Sequence, residues 1–201
     1  VLFLGLYDPL RRRLEAIAGE WFNRQGRRLE LTLAEVDKNV AKVISIRTMD
    51  AQLIGRLHAS GRAPQVSMYL WNQERGLYEL TLQRGQPDKP LMQTVAQRPF
   101  TDGFQSNGAP YVRSDLELRG LRRLPGQEDA KVRLRTMETM AADLSIPVIS
   151  GDLVVGWLNL RDESWSDGYS AEEVRRLTET VHRVAVALEN IYSFEQLKEQ
   201  T

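Results

Sequence analysis

Apolar and polar positions along this 201-residue chain follow two periods. Over Val66-Ser67-Met68-Tyr69-Leu70-Trp71 they alternate as in a strand, which puts Ser67, Tyr69 and Trp71 on one face and Val66, Met68 and Leu70 on the other. Asn72-Gln73-Glu74-Arg75-Gly76 reads as a turn, Leu77–Gln83 as the return strand and Gly85 as its close. A second hairpin is predicted over Asp143–Leu160, where two apolar stretches flank Ser150-Gly151-Asp152, small polar residues that favour a tight reversal. On its later strand Trp157 and Asn159 oppose Gly156, Leu158 and Leu160.

After Asp162 the period lengthens. Val174, Leu177, Val181, Val184, Leu188 and Ile191 recur at alternating steps of three and four, an apolar helical stripe at coiled-coil spacing. Leu29, Leu33, Val36, Val40 and Val43 keep the same spacing, and Ile46, Met49, Leu53 and Leu57 carry it on with a phase shift. One helix is therefore predicted over Leu29–Leu57, ended by Gly61 and Pro64. The stretch Gln86–Ala142 is less regular. It reads as a short helix near Leu91–Gln97, a loop over Phe100–Gly108, a short strand at Tyr111-Val112-Arg113, and either one or two short helices or a lid over Leu116–Met140.

The segments Ile146-Pro147-Val148, Gly156-Trp157-Leu158, Tyr169-Ser170-Ala171-Glu172-Glu173 and Val184-Ala185-Val186-Ala187-Leu188-Glu189-Asn190 are the parts of one larger pattern. Their order and spacing resemble the C-terminal half of a GAF domain, a small-molecule-sensing module of signalling proteins. The resemblance covers Asp143–Tyr192, loosens over Gln65–Ala142 and stops before about Leu33. It implies an α+β fold: an antiparallel sheet with long N- and C-terminal helices on one face and a pocket face covered by short helices and loops. The organisation expected from it is a juxtamembrane-like amphipathic segment (1–28), an N-terminal signalling helix (29–60), a GAF core (61–169) and a C-terminal signalling helix (170–201).

Composition narrows the chemistry. Formal net charge is zero, so no global field draws the chain to nucleic acid, and no such partner is expected. There is no cysteine, which excludes disulfides, a thiolate nucleophile and sulfur-ligated metal. Within the GAF family it also excludes thioether attachment of a bilin and the reduction of methionine sulfoxide. With only His58 and His182, no zinc or iron site is expected. Glu138, Asp143 and Glu163 form no pair at a spacing suited to acid–base work, Ser145 and Ser150 lack a nearby histidine, and Gly103 to Gly108 lacks the strand and lysine of a phosphate loop. His182 has no acidic neighbour and no following proline, unlike a phospho-accepting histidine, and reads as a solvated helix residue. The chain is expected to be non-catalytic and to hold no cofactor.

Val1–Leu6 is apolar but shorter than the roughly 20 residues that span a bilayer, and Tyr7 and Arg11-Arg12-Arg13 follow it. With Trp21 and Phe22 set between arginines, Leu10–Arg28 resembles the juxtamembrane segment of bacterial sensor kinases. Its aromatics would anchor at the interface and its arginines meet anionic lipid, on the cytoplasmic side of the inner membrane. The alternative is a soluble amphipathic helix whose Leu10, Leu14, Ile17 and Trp21 pack on the domain.

The expected ligand-binding residues are Tyr69 and Trp157 as pocket walls, Asn159 as donor and acceptor, and Arg113 as a bidentate partner of a carboxylate or phosphate. The competing reading is that the aromatics fill the pocket and nothing binds. The expected function is a sensor and relay module that forms a homodimer through the Ser170–Gln200 helix and passes a signal to an output domain such as a histidine kinase. The alternatives are a ligand-free dimerisation scaffold and the sensor domain of a transcription regulator.

Overall fold

The computed structural model describes residues 26–40, 45–87, 89–95, 100–121, 126–162 and 168–199; for residue 107 and residues 190–199 it describes the backbone alone. Two hairpins make the centre of the sheet. Strand β1 (Gln65–Asn72) turns through Gly76, whose φ is 62°, into β2 (Leu77–Arg84). Strand β5 (Leu144–Ser150) turns through Gly151, at φ 58°, into β6 (Leu153–Arg161); Ser150 pairs with Leu153, so Gly151 and Asp152 are the whole loop. With the short strands β3 (Thr94–Val95) and β4 (Tyr111–Val112) at its edges, the sheet has the order β3-β2-β1-β6-β5-β4, and every pairing is antiparallel. Gly156 is what lets the hairpins meet. A Cβ there would sit 2.3 Å from the Tyr69 carbonyl oxygen and 2.8 Å from Leu70 Cδ2.

The alternation predicted for β1 and β6 holds. Val66, Met68, Leu70, Leu158 and Leu160 face a layer of helices. That layer contains α1 (residues 26–39), a second helical run, and α7 (Ala171–Glu199). The second run comprises α2 (Ile46–Met49), a π turn (Asp50–Ile54) and α3 (Gly55–Ala59). The single helix expected over Leu29–Leu57 is thus divided. Ser45 has extended backbone and starts α2 with a capping box, accepting from the Thr48 amide at 3.2 Å while its own amide donates to Thr48 Oγ1 at 3.0 Å. The phase shift read between Val43 and Ile46 falls at residues 41–44, outside the described residues; further on, the π turn is closed by the Gly55 amide on the Asp50 carbonyl, and the adjacent Leu53 and Ile54 are both buried.

Helices α1 and α7 run parallel. Glu30 pairs with Arg176 at 3.4 Å, and Asp37, seven residues on, pairs with Arg183, also seven residues on, at 2.9 Å. Leu177, Val181, Val184 and Leu188 are buried in this layer, so most of the heptad stripe packs inside the domain. The 29-residue α7 is about 43 Å long and continues through residues 189–199 beyond the buried Leu188. No described helix is long and apolar enough to cross a membrane. Trp21, Phe22 and the rest of 1–25 lie outside the described residues.

Two expectations for the middle of the chain change. The helix expected near Leu91–Gln97 gives way to β3, because this backbone pairs with β2: Tyr78 lies opposite Val95, and the Leu80 amide donates to the Gln93 carbonyl at 2.9 Å. The loop expected over Phe100–Gly108 contains α4 (Asp102–Asn107), ended by Gly108 at φ 62° and held down by the buried rings of Phe100 and Phe104. Helices α5 (Arg113–Leu121) and α6 (Gln127–Thr139) complete the cover of this second face.

Candidate functional site

On the face away from the long helices, β1 and β6 present Tyr69 and Trp157 as register partners. Their rings stack at 5.4 Å, and Tyr78 of β2 and Phe100 lie 4.6 and 5.1 Å from Trp157. Phe104 of α4 stacks on Tyr111 of β4 at 4.1 Å and closes the cluster. Tyr69, Phe104 and Trp157 are all 0 % exposed. The rings therefore form a dry aromatic core under the α4 cover.

Each tyrosine hydroxyl is spent on backbone. Tyr69 donates to the Met92 carbonyl at 2.5 Å, Tyr78 to Val154 at 2.7 Å and Tyr111 to Phe100 at 2.8 Å. Burial pushes the Tyr69 phenol far above its usual range and raises Tyr78 and Tyr111 to about 12. None of the three can act as a base near neutral pH. Trp157 differs, because its indole Nε1 is buried and has no hydrogen-bond partner among the described residues.

Asn159 also lies on this face, in a buried polar row between register partners Ser67 and Ser145. It accepts from Ser145 Oγ at 2.7 Å and directs Nδ2 toward Ser67 Oγ at 3.4 Å and the Met140 sulfur at 3.6 Å. Arg113 begins α5 and faces three carboxylates: Glu117 at 2.9 Å, Asp143 at 3.4 Å and Glu138 at 3.6 Å. Together they raise its affinity for its proton, the Glu117 hydrogen bond most of all. It lines a neighbouring groove of about 690 Å³, whose wall includes the Met92 that Tyr69 holds. Three of the four sequence-derived residues thus share one face, and the fourth stands in the next groove.

Two groupings escaped the sequence. Tyr78 could have been placed by the alternation of β2, but Phe100, Phe104 and Tyr111 sit in the irregular middle, where no period marks them. The other grouping is a buried ionic cluster. Arg62, 6 % exposed, lies 2.8 Å from Glu173, 2.9 Å from the Gly168 carbonyl and 4.3 Å above the Tyr169 ring. Its Nη1 is 2.8 Å from Asp162 Oδ2, an ion pair outside hydrogen-bond geometry. Burial works against the guanidinium charge, but the Glu173 and Asp162 carboxylates outweigh it and hold the proton more tightly than usual. Ser170 and Glu173 cap α7 reciprocally, at 2.8 and 3.3 Å, so the motif read as a helix start is one, and Arg62 pins it to the sheet. Among the described residues no cluster of His, Asp and Glu could hold a metal.

No protein-family model matches the chain, and no curated protein matches it in sequence. Solved structures do resemble it. The GAF domain of a phosphoenolpyruvate-protein phosphotransferase from Coxiella burnetii is similar with a TM-score of 0.59 at 15 % identity, over 85 % of this chain and 98 % of that one. Residues 122 to 287 of a methyl-accepting chemotaxis protein give 0.56 at 11 % identity, over 80 % and 98 %. The free methionine-R-sulfoxide reductase of Neisseria meningitidis, solved in complex with its substrate, gives 0.59 at 14 % identity, over 82 % and 90 %. At these identities the likeness concerns architecture, and with the sheet order and two-faced packing described above it establishes that this chain has the GAF fold.

Proposed function

We propose that the chain is a non-catalytic sensory relay module that carries a signal along its helices to an output domain, a histidine kinase being the leading candidate. The observation that carries this reading is the parallel pairing of α1 and α7. Because both helices point the same way, a disturbance entering along α1 leaves along α7 at the other end of the domain. The Arg62 cluster ties the start of α7 to the sheet, so changes on the aromatic face reach the same helix. Signal output then requires only different affinities for two helix packings, with no bond broken in this domain.

The ligand in this reading is a small molecule that opens the α4 cover, takes Tyr69 and Trp157 as walls and offers an acceptor to the unpartnered Trp157 Nε1. Asn159 supplies a further polar contact and Arg113 draws an anionic group through the adjacent groove. The homodimer forms through α7, where Val186 is exposed and Ile191, Phe194 and Leu197 continue the apolar sequence. The arginine-rich N-terminal segment rests on anionic lipid at the cytoplasmic side of the inner membrane.

A second reading, the ligand-free scaffold, is favoured by the completeness of ring burial on the aromatic face. One experiment separates relay from scaffold. The chain is fused through α7 to a reporter kinase core, with one to four residues inserted after Glu189. Relay predicts that kinase output rises and falls with the helical period of 3.6 residues. A flat response overturns it. Thermal shift against nucleotides and metabolites then tests the ligand, and a panel without a single stabilising compound would leave the aromatic face as core.

A further inference from the structure

Arg56, Arg62, Arg84, Arg113, Arg176 and Arg183 each face a carboxylate. Arg119 on α5 and Arg133 on α6 form no such pair among the described residues. Among the described residues neither makes a hydrogen bond or an ion pair, yet both line one cleft of about 290 Å³ between these helices. Arg133 is not a free surface residue. Its guanidinium carbon lies 5.3 Å from the Tyr111 ring centroid, and a Cβ on Gly103 of α4 would approach that carbon to 2.9 Å. Its Nε is buried and has no acceptor among the described residues.

A guanidinium held against a ring with no carboxylate paired to it carries a charge that a bound anion would balance. The cleft contains one carboxylate, Asp129, against the two arginines, so it keeps a net positive charge. Gln127 is fixed beside them by donating its amide to the Gly120 carbonyl at 2.9 Å. Gly126 gives α6 no side-chain cap, which leaves the positive end of the helix facing the same space. The planar fork of an arginine matches two oxygens of one anion, and a cleft of this volume admits a phosphate or a carboxylate head group.

We propose that the α5–α6 cleft is a binding site for a small oxyanion, gripped by Arg133 and Arg119. Because Arg133 also abuts Gly103, an anion held there links α6 to α4, the helix that covers the aromatic cluster. The site is separate from the one assigned to Tyr69 and Trp157, and occupancy of one would stiffen the cover of the other.

The test follows the arginine Nε–H resonances of the whole chain by NMR, assigned with Arg133→Lys and Arg119→Gln. Inorganic phosphate, acetate and chloride are titrated at matched ionic strength. Saturable shifts of the Arg133 and Arg119 signals with phosphate or with acetate are expected, and which anion acts tells phosphate from carboxylate. Arg119→Gln, an exposed change that leaves Arg133 in place, is expected to weaken binding about tenfold. The proposal fails if neither oxyanion shifts the signals more than chloride does, if Arg135 on the same helix responds equally, or if Arg119→Gln binds as the parent does.

Discussion

The same two strands serve two faces that are packed by different chemistry. Toward the helices β1 and β6 send Val66, Met68, Leu158 and Leu160, whose side chains carry no nitrogen or oxygen atom. Toward α4 they send Tyr69, Trp157 and Asn159, each with a polar atom that must find a partner or go without. An aliphatic interface is held by area and tolerates small slides. An aromatic one bonded to cover backbone at Met92 and Phe100 is held by direction, and a shift on that side breaks named bonds. Away from the Arg62 cluster, the helical face therefore resists a small shift less than the aromatic face does.

The largest expected effect comes from detaching the helical layer where Arg62 pins it. Arg62→Met leaves Asp162 and Glu173 without their buried partner and should cost about 3–5 kcal/mol in urea unfolding. The pH dependence gives the sign. Burial pushes the Glu173 carboxyl up, but Arg62 and the Ser170 amide outweigh it and hold it below the usual value. A lowered folded value means the contribution is complete above the unfolded pKa near 4.3 and is lost as pH falls through the folded one. Arg62→Met should flatten that acid slope. An unchanged slope would show that the cluster does not anchor α7.

Neighbours on β6 then compare the faces directly. Leu158→Ala opens a cavity on the aliphatic side and should cost about 3 kcal/mol. Trp157→Phe, one residue away on the other side, loses volume but also removes a buried donor that has no acceptor, and should cost only about 1 kcal/mol. If Trp157→Phe proves as damaging as Leu158→Ala, the indole N–H has a partner and the contrast between the faces collapses.

Much of this was legible in the chain. Alternation over Val66–Trp71 and Gly156–Leu160 assigned both faces correctly, because burial on two sides of a strand writes itself with period two. Tyr169-Ser170 with Glu173 announced the start of α7 through its capping chemistry. What stayed hidden depends on distance. Arg62 meets Glu173 across 111 positions, and no local pattern joins them. Strand β3 and helix α4 owe their form to the edge of β2 and the rings beneath them, so tertiary contacts override local preference there. The carboxylates around Arg113 come from α5, α6 and the approach to β5, so the stretch of sequence around it did not show how much of its charge is already balanced.

The π turn at Asp50–Ile54 has a consequence for residue counting. It means the second helical run holds one residue more than its path to β1 needs, and that surplus is housed in a single wide turn. Comparing this helix with another by number alone will slip by one across that turn. Ala51, exposed on its outer side, is the natural residue to lose, yet its loss would turn α2, with its buried Met49, by about 100° relative to α3.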